Sequence, residues 1–296
     1  MTHKALRMCV DRIVPLHLKT RAADLAIRER SDNHPGVLPK RVGASANPAK
    51  IALVTGKMWT LGRVLRVHFL DGSSAQRARV QEFATEWCNY ANIGLDFGGG
   101  PDSEIRISFV ADAGSWSAVG TDCLVGDYFK AGEPTMNFGW LRDDTDDTEF
   151  RRVTTHEFGH ALGAIHEHQN PFGSSIQWDV AAVYQYFSGP PNYWSKEDID
   201  FNVLQKYSAD QLNGTQFDPE SIMLYSFDPS LTLNHVGTAN NTDLSDGDKQ
   251  FIAQTYPSLA SSVSVASDKF EPNKRDALAW ATVEIVTQSG NRIYAR

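Results

Sequence analysis

Cysteine is scarce in this chain: its 296 residues include three, at Cys9, Cys88 and Cys123. Three thiols cannot form a framework of two disulfide bonds. With 41% hydrophobic residues, the chain is instead long enough to bury one sizeable core, or one core with appendages.

Long apolar runs are also missing. No segment approaches the ~20 apolar residues that a membrane-spanning helix needs. The first 19 residues alternate polar and apolar side chains without an apolar centre, so they do not form a secretory signal peptide. We therefore expect a protein whose signal was trimmed, or that is secreted by another route, or that stays in the cytoplasm.

Positive charge is in the minority. The chain carries 28 Lys and Arg residues against 36 Asp and Glu, a net charge of -8, and no long Lys/Arg run offsets the balance locally. This composition argues against sequence-independent nucleic-acid binding. We expect neither nucleic acid nor a membrane among the partners.

One short stretch carries most of the functional information. Residues 156–168 read His-Glu-Phe-Gly-His-Ala-Leu-Gly-Ala-Ile-His-Glu-His, which contains the pattern HExxHxxGxxH. Residues four apart share one face of a helix, so His156 and His160 can present two imidazoles to one metal ion. Gly163 can adopt the left-handed conformation that ends a helix, and the chain can then turn back so that His166 approaches the same ion.

Three imidazole ligands predict a catalytic zinc ion. Zinc favours imidazole, and three protein ligands leave one coordination position open for water. Glu157 lies about 100° around the helix from the first ligand, where it can reach that water as a general base. By chance the pattern should occur on the order of a few times in a hundred thousand such chains.

A second motif stands at residues 221–225, Ser-Ile-Met-Leu-Tyr. Taken alone, such an apolar run is typical of a core. After HExxHxxGxxH it has the form SxMxY, and with Glu167 directly after the third histidine the chain resembles the metzincin metallopeptidases, within them the astacin-like group. Residues 166–171, His-Glu-His-Gln-Asn-Pro, are similar to microbial members of that group.

The resemblance implies a role for each residue of the site. One catalytic Zn²⁺ would be held by His156, His160 and His166, with Tyr225 as a further, switchable ligand that can also donate a hydrogen bond to the developing oxyanion. Glu157 would be the general base. The activity implied is that of a zinc metalloendopeptidase, which hydrolyses peptide bonds in proteins with a zinc-activated water.

The resemblance also implies an α+β fold. It predicts a metzincin-type domain with a twisted mixed sheet, an active-site helix, and a C-terminal helix that begins within residues 244–252. Gly163, Met223 and Glu167 would have structural roles around the zinc. The segment Thr135 to Trp140 would be the antiparallel edge strand along which an extended polypeptide substrate pairs; an ordinary sheet edge is the alternative interpretation.

Two features depart from the animal astacins. Those enzymes have two disulfides, which three cysteines cannot supply. Many of them also favour acidic side chains just after the cleaved bond, in part through a basic residue near the methionine turn, whereas no Lys or Arg stands between Lys206 and Lys249. We therefore expect no strong acidic preference at that position.

The chain falls into three segments. Residues 1–48 form an N-terminal segment that ends in a proline-punctuated connection and is the place for a prosegment. Residues 49–258 contain the catalytic domain. Residues 259–296 form a C-terminal extension of unknown role, in which two short strands predict a β-hairpin.

Within these segments the patterns predict individual elements. Residues 14–16 should be extended, and the stretch from residue 178 to 210 should use its aromatic rings to build the lower half of the domain. Helices are predicted at 20–30 and 74–90. Strands are predicted at 64–70, 93–97, 105–109, 281–286 and 291–294.

Latency is a further question, because an exposed cleft would endanger the cell that makes the enzyme. Cys9 and Asp11 are the two residues that could cover the zinc, since a thiolate or a carboxylate can displace the catalytic water. For Cys9 the favoured interpretation is an ordinary small apolar residue. His168 lies outside the motif and is expected beside the ligands or at the surface.

Two other functions fit the motif. A zinc-dependent binding module could keep the metal without turnover, although it would not need Glu157. A zinc hydrolase acting on a non-peptide amide is the other alternative.

Overall fold

The helices and strands come from a computed structural model, which describes residues 7–34, 53–54, 56–206, 212–213, 216–258, 283–286 and 292–295. The chain divides into two units, Met1–Ser258 and Leu259–Arg296. The connection at residues 35–48, with the expected end of the N-terminal segment, lies outside the described residues.

The first unit contains all the helices described. They are Lys19–Glu29 (α1), Ser74–Ala84 (α2), Asp147–Ala161 (α3), Val180–Phe187 (α4), Lys196–Ile199 (α5) and Asp246–Thr255 (α6). Its strands are Cys9–Arg12 (β1), Leu53–Val54 (β2), Val64–Phe69 (β3), Gly94–Asp96 (β4), Ile105–Ser108 (β5), Ser115–Ala118 (β6), Met136–Phe138 (β7) and Leu212–Asn213 (β8). In the second unit, Val283–Val286 (β9) pairs antiparallel with Arg292–Ala295 (β10).

A mixed sheet forms the centre of the first unit, in the order β1-β6-β7-β5-β3-β4. The strands β3, β4, β5 and β7 pair in parallel, and β6 runs antiparallel to β7. A short two-stranded sheet joins β2 and β8. Helices and a mixed sheet with one antiparallel pair confirm the expected α+β class.

The prediction that the segment Thr135 to Trp140 lies at the edge of the sheet is wrong. The segment Thr135 to Trp140 does contain β7, but β7 is an interior strand with β5 on one side and β6 on the other. Its three residues are all buried, as an interior strand requires. The edge on this side would belong to β6, a strand absent from the sequence-based prediction.

The N-terminal strand covers that edge. β1 pairs in parallel with β6, with Cys9 opposite Ser115 and Asp11 opposite Ser117. The extended stretch was expected later in the chain, at residues 14–16. There Pro15 is extended, with φ -55° and ψ 152°, but it is the N-cap of a 3-10 turn at Leu16–Leu18, so the expected extended stretch ends before Leu16.

The active-site helix α3 begins where the acidic run predicts. The Asp146 side chain accepts a hydrogen bond from the Glu149 backbone N–H at 2.9 Å, which caps the helix. Asp147 and Glu149 in the first turn oppose the positive end of the helix dipole. On its inner side Phe150 packs against Phe83 of α2, with ring centroids 6.2 Å apart.

Most of the other predicted elements are present. The helices predicted at 20–30 and 74–90 correspond to α1 and α2, although α2 gives way to a 3-10 turn at Thr85–Asn89. The predicted C-terminal helix is α6. Within the described part of the chain, no helix is both long and apolar enough to cross a lipid bilayer.

The aromatic stretch after residue 178 forms a second core cluster. Val183 and Phe187 of α4 are buried there together with Ile199, and the cluster continues to Tyr225 and Phe227. Tyr225, the last residue of the methionine motif, and Phe227 just after it therefore pack in this second core cluster.

Candidate functional site

The three histidines of the motif meet at one point. His156 and His160 lie one turn apart on α3, and Gly163, with φ +99°, turns the chain so that His166 returns to them. The Nε2 atom of His160 lies 3.1 Å from Nε2 of His156 and 3.2 Å from Nε2 of His166. Two imidazoles bound to one tetrahedral zinc ion have their nitrogens about 3.3 Å apart. The cluster therefore has the dimensions of a zinc site.

The second nitrogen of two rings is held by backbone carbonyls. Nδ1 of His156 lies 2.8 Å from the Ile222 carbonyl oxygen, and Nδ1 of His160 lies 2.9 Å from that of Ala164. A carbonyl only accepts, so each Nδ1 carries the proton and each Nε2 lone pair is free. Burial, followed by the other imidazoles, lowers the pKa of His156 well below its usual value. Neutral rings of this tautomer fit a metal ion.

Glu157 is fully buried beside the N-terminal strand. The Cys9 thiol lies beside its carboxylate, and neither carboxylate oxygen has a hydrogen-bond partner among the described residues. Burial raises the pKa of Glu157 well above its usual value, and burial with the charge of Glu157 does the same for Cys9. Cys9 is thus a neutral thiol against the carboxylate, and it does not belong to the cluster of potential metal ligands.

Asp11 approaches two of the histidines from β1. Its Oδ1 lies 3.1 Å from Nδ1 of His160 and its Oδ2 lies 3.6 Å from Nδ1 of His166. Both oxygens are buried, and neither has a hydrogen-bond partner within the described ranges. The Asp11 backbone N–H donates to Oδ1 of Asn202 at 2.9 Å, which fixes the strand here. A buried carboxylate without donors is costly, and the potential metal ligands found among the described residues are the three histidines without Asp11.

The methionine motif lies directly under the histidines. The Tyr225 ring centroid is 4.0 Å from that of His166, and its hydroxyl donates to the Cys9 carbonyl oxygen. Met223 packs against α3 at Gly159, where an added Cβ would lie 2.4 Å from the methionine sulfur. The turn therefore contacts the helix through the Met223 side chain, at a position where the helix has no side chain of its own.

Glu167 and His168 are both buried behind the site. Oε1 of Glu167 accepts from the Asp218 backbone N–H at 2.9 Å, and burial raises its pKa well above the usual value. The His168 ring centroid lies 4.6 Å from that of Tyr225, and its Nε2 lies 2.9 Å from the Asn202 carbonyl oxygen. Burial lowers the His168 pKa to about 4. His168 is therefore not at the surface, and its ring packs against the ring of Tyr225.

Arg152 was missed by the sequence analysis. It lies one turn before His156 on α3 and lines a pocket with Leu224 and Ser226, close to the methionine turn. Its charge is compensated, because Nε lies 2.7 Å from Oε2 of Glu149. The four-residue spacing to His156 is the signal that could have found it. Because the charge of Arg152 is paired with that of Glu149, it gives no reason to expect a preference for acidic substrate side chains. The absence of a strong acidic preference just after the cleaved bond stays a prediction.

Comparison with known proteins finds similar chains among solved structures. No protein-family model matches the chain, and no sequence among curated proteins matches it. A solved structure of myroilysin is 46% identical, with 70% of this chain and 98% of that chain covered and a TM-score of 0.66. A second, a crystal structure of myroilysin, is 42% identical, with 68% and 86% covered and a TM-score of 0.54.

A more distant match is high choriolytic enzyme 1, a hatching enzyme zinc-protease from medaka fish, Oryzias latipes. It is 16% identical over 68% of this chain and 94% of that chain, with a TM-score of 0.43, which is too distant to bear on the site.

Proposed function

Since this chain belongs to the astacin-like metzincin family and is a zinc-dependent endopeptidase, we propose that its three clustered histidines hold one catalytic zinc ion and that Glu157 is the general base. The observation that carries the proposal is the convergence of three Nε2 atoms, two of them on rings whose Nδ1–H is held by a carbonyl. Such rings are oriented for a metal before it binds.

Zinc, when bound, supplies a Lewis acid that polarises a carbonyl and makes water more acidic. Glu157 takes a proton from the attacking water and passes it to the leaving amine. Its fully buried carboxylate supports this role, because burial raises its pKa from that of a surface glutamate towards that of an acid–base catalyst.

Tyr225 stabilises the oxyanion in this proposal. Its hydroxyl donates to the backbone carbonyl of Cys9, which belongs to an extended segment that lies across the site. A substrate carbonyl in the same place would receive the same hydrogen bond, and donation to a developing oxyanion is worth more than donation to a neutral carbonyl. Tyr225 can also approach the metal, since its ring contacts that of His166.

The substrate pairs with β6 rather than with the segment expected from the sequence. Apart from β1, β6 is the outermost strand on this side of the sheet, and it contacts α3, the helix that carries His156 and His160. The backbone groups of Ser115–Ala118 that bind β1 are then available to an extended polypeptide.

The N-terminal segment keeps the enzyme latent. β1 occupies the β6 edge, Asp11 lies against the histidines, and Cys9 covers Glu157. We assign the blocking role to Asp11 and treat Cys9 as a buried neighbour of the base. Residues 1–48 are then a prosegment and residues 49–258 the catalytic domain, and the role of residues 259–296 stays open.

The test compares casein cleavage by four full-length proteins: the wild type, Asp11→Ala, Glu157→Ala, and the double variant. We expect slow cleavage by the wild type and fast cleavage by Asp11→Ala. Glu157→Ala should abolish cleavage in either background while each protein still binds one zinc ion per chain. Cleavage by the double variant at the rate of Asp11→Ala would refute the role of Glu157.

A further inference from the structure

Asp248 is a buried carboxylate that has no role in the proposed mechanism. It stands in the first turn of α6 and is 0% exposed. Its oxygens accept three hydrogen bonds: from the Ser221 hydroxyl at 2.7 Å, from the Ile222 backbone N–H at 2.8 Å and from the Ser245 backbone N–H at 3.0 Å. Two of the three donors belong to the methionine turn.

Helix capping explains only part of this arrangement. Ser245 and Asp248 form a capping box, in which each side chain accepts from the backbone N–H of the other residue. A capping box needs no contact with Ser221 and Ile222, which lie 27 and 26 residues earlier in the chain. Capping therefore leaves the two contacts with the methionine turn unexplained.

The contacts lead through one peptide group to a proposed zinc ligand. The Ser221 hydroxyl donates to Asp248 and accepts from the Met223 backbone N–H at 3.1 Å. That N–H and the Ile222 carbonyl belong to the same planar peptide group and point in opposite directions. The Ile222 carbonyl accepts from Nδ1 of His156 at 2.8 Å. Fixing the N–H therefore fixes the carbonyl that orients the histidine.

We propose that Asp248 is a positioning residue for the metal centre, which sets the orientation and tautomer of His156 through the peptide group between Ile222 and Met223. The inference deepens the proposed function and rests on it, because it takes His156 to be a zinc ligand. Groups behind a metal-bound histidine typically change metal affinity or activity by 10- to 100-fold. Asp248 acts through a further peptide group, so we expect an effect of about tenfold.

The experiment measures the zinc affinity of the full-length chain by competition with a chromogenic chelator. Asp248→Ala should weaken zinc binding about tenfold. Asp246→Ala is the matched control: it removes a carboxylate from the same turn of α6, but this carboxylate is solvent-exposed and contacts Lys249. It should leave zinc affinity unchanged. Near-ultraviolet circular dichroism of the zinc-free proteins shows whether each variant is folded.

Two further variants separate positioning from capping. Ser221→Ala cuts the link to the Met223 N–H and leaves the capping box intact, so it should weaken zinc binding several-fold even if Asp248→Ala fails to fold. Ser245→Ala damages the cap and keeps both contacts with the turn, so it should lower stability with zinc affinity within about twofold of the wild type. Equal zinc affinities for Ser221→Ala and the wild type would overturn the proposal, as would a Ser245→Ala loss as large as that of Asp248→Ala.

His156→Ala distinguishes this inference from the proposed function. If His156→Ala loses zinc while Asp248→Ala and Ser221→Ala bind it normally, the positioning role fails and the metal site stands. If His156→Ala binds zinc as the wild type does, the proposed metal site itself fails, and the positioning role with it.

Discussion

The hydroxyl of Tyr225 donates a hydrogen bond to the backbone carbonyl of Cys9, which joins the methionine turn to the N-terminal strand. Tyr225 also contacts the ring of His166. The side chain proposed to stabilise the oxyanion is thus engaged by the chain's own N-terminal segment. Removal of that segment from the site would release the hydroxyl for a substrate.

Tyr225→Phe should therefore reduce turnover without removing the metal. In the Asp11→Ala background we expect kcat to fall on the order of a hundredfold, the usual effect of losing one donor to an oxyanion. Zinc content, measured by atomic absorption, should stay the same because the three histidines are intact. Unchanged kcat in the phenylalanine variant would contradict the proposed role.

Asp11 and Cys9 should differ in their effect on latency. Asp11→Ala removes the carboxylate that lies against His160 and His166, so the initial rate of casein cleavage by the full-length chain should rise at least tenfold. Cys9→Ala is the matched control on the same strand and should raise the rate much less, because the Cys9 thiol lies against Glu157 and not against the histidines. A larger rise for Cys9→Ala would make the thiol the blocking group.

Gly159→Ala should destabilise the protein, although alanine is normally the better helix residue. The added Cβ would lie 2.4 Å from the sulfur of Met223 and 3.1 Å from the Trp87 ring. We expect the free energy of unfolding to fall by about 1–3 kcal/mol, as measured by urea denaturation. Gly126→Ala, where an added Cβ meets nothing within 4 Å, should be close to neutral. Equal free energies of unfolding for the two variants would show that the methionine turn moves enough to accommodate the added methyl group.

Asp248 should make stability depend on pH in a direction opposite to that of a salt-bridged aspartate. Burial raises its pKa from 3.8 to about 6, so between these values the folded protein holds a proton that the unfolded chain releases. The stabilisation is complete below about pH 4 and is lost as the pH rises through about 6.

Asp248→Asn removes this titration. On going from pH 7 to pH 4, the zinc-free wild type should gain on the order of 3 kcal/mol in unfolding free energy relative to the variant. Urea denaturation at both pH values measures the gain, and the absence of zinc removes metal release from the comparison. A constant difference between the two proteins would refute the raised pKa.

The local parts of the site could be predicted because neighbouring residues define them. A four-residue spacing places His156 and His160 on one helix face, and Gly163 supplies the left-handed turn that returns His166. The acidic residues before α3 indicate where the helix begins. Each of these features depends on periodicity or on a single backbone conformation, and both can be read from consecutive residues.

The strand order could not be predicted in the same way. Residues 136–138 form a strand, as expected, but the position of a strand in a sheet depends on its partners. The strand β6 was missed because it has only four residues, Ser-Trp-Ser-Ala, of which Trp116 alone is a residue type enriched in strands. The segment Thr135 to Trp140 was assigned to the edge on the family resemblance alone, and β6 occupies the position outside it. Likewise, nothing near Asp248 in sequence indicates that it contacts Ser221.

By itself, the sequence determined the three histidines, the adjacent glutamate and the methionine motif, because short-range spacing specifies these features. The α+β zinc-peptidase class followed from the family resemblance that these motifs carry. Only the tertiary structure decided that β1 lies on the β6 edge, that Asp11 rather than Cys9 reaches the histidines, and that α6 supports the peptide group behind His156. These are contacts between residues far apart in the chain. They arise from packing and from the pairing of buried polar groups, which no local pattern encodes.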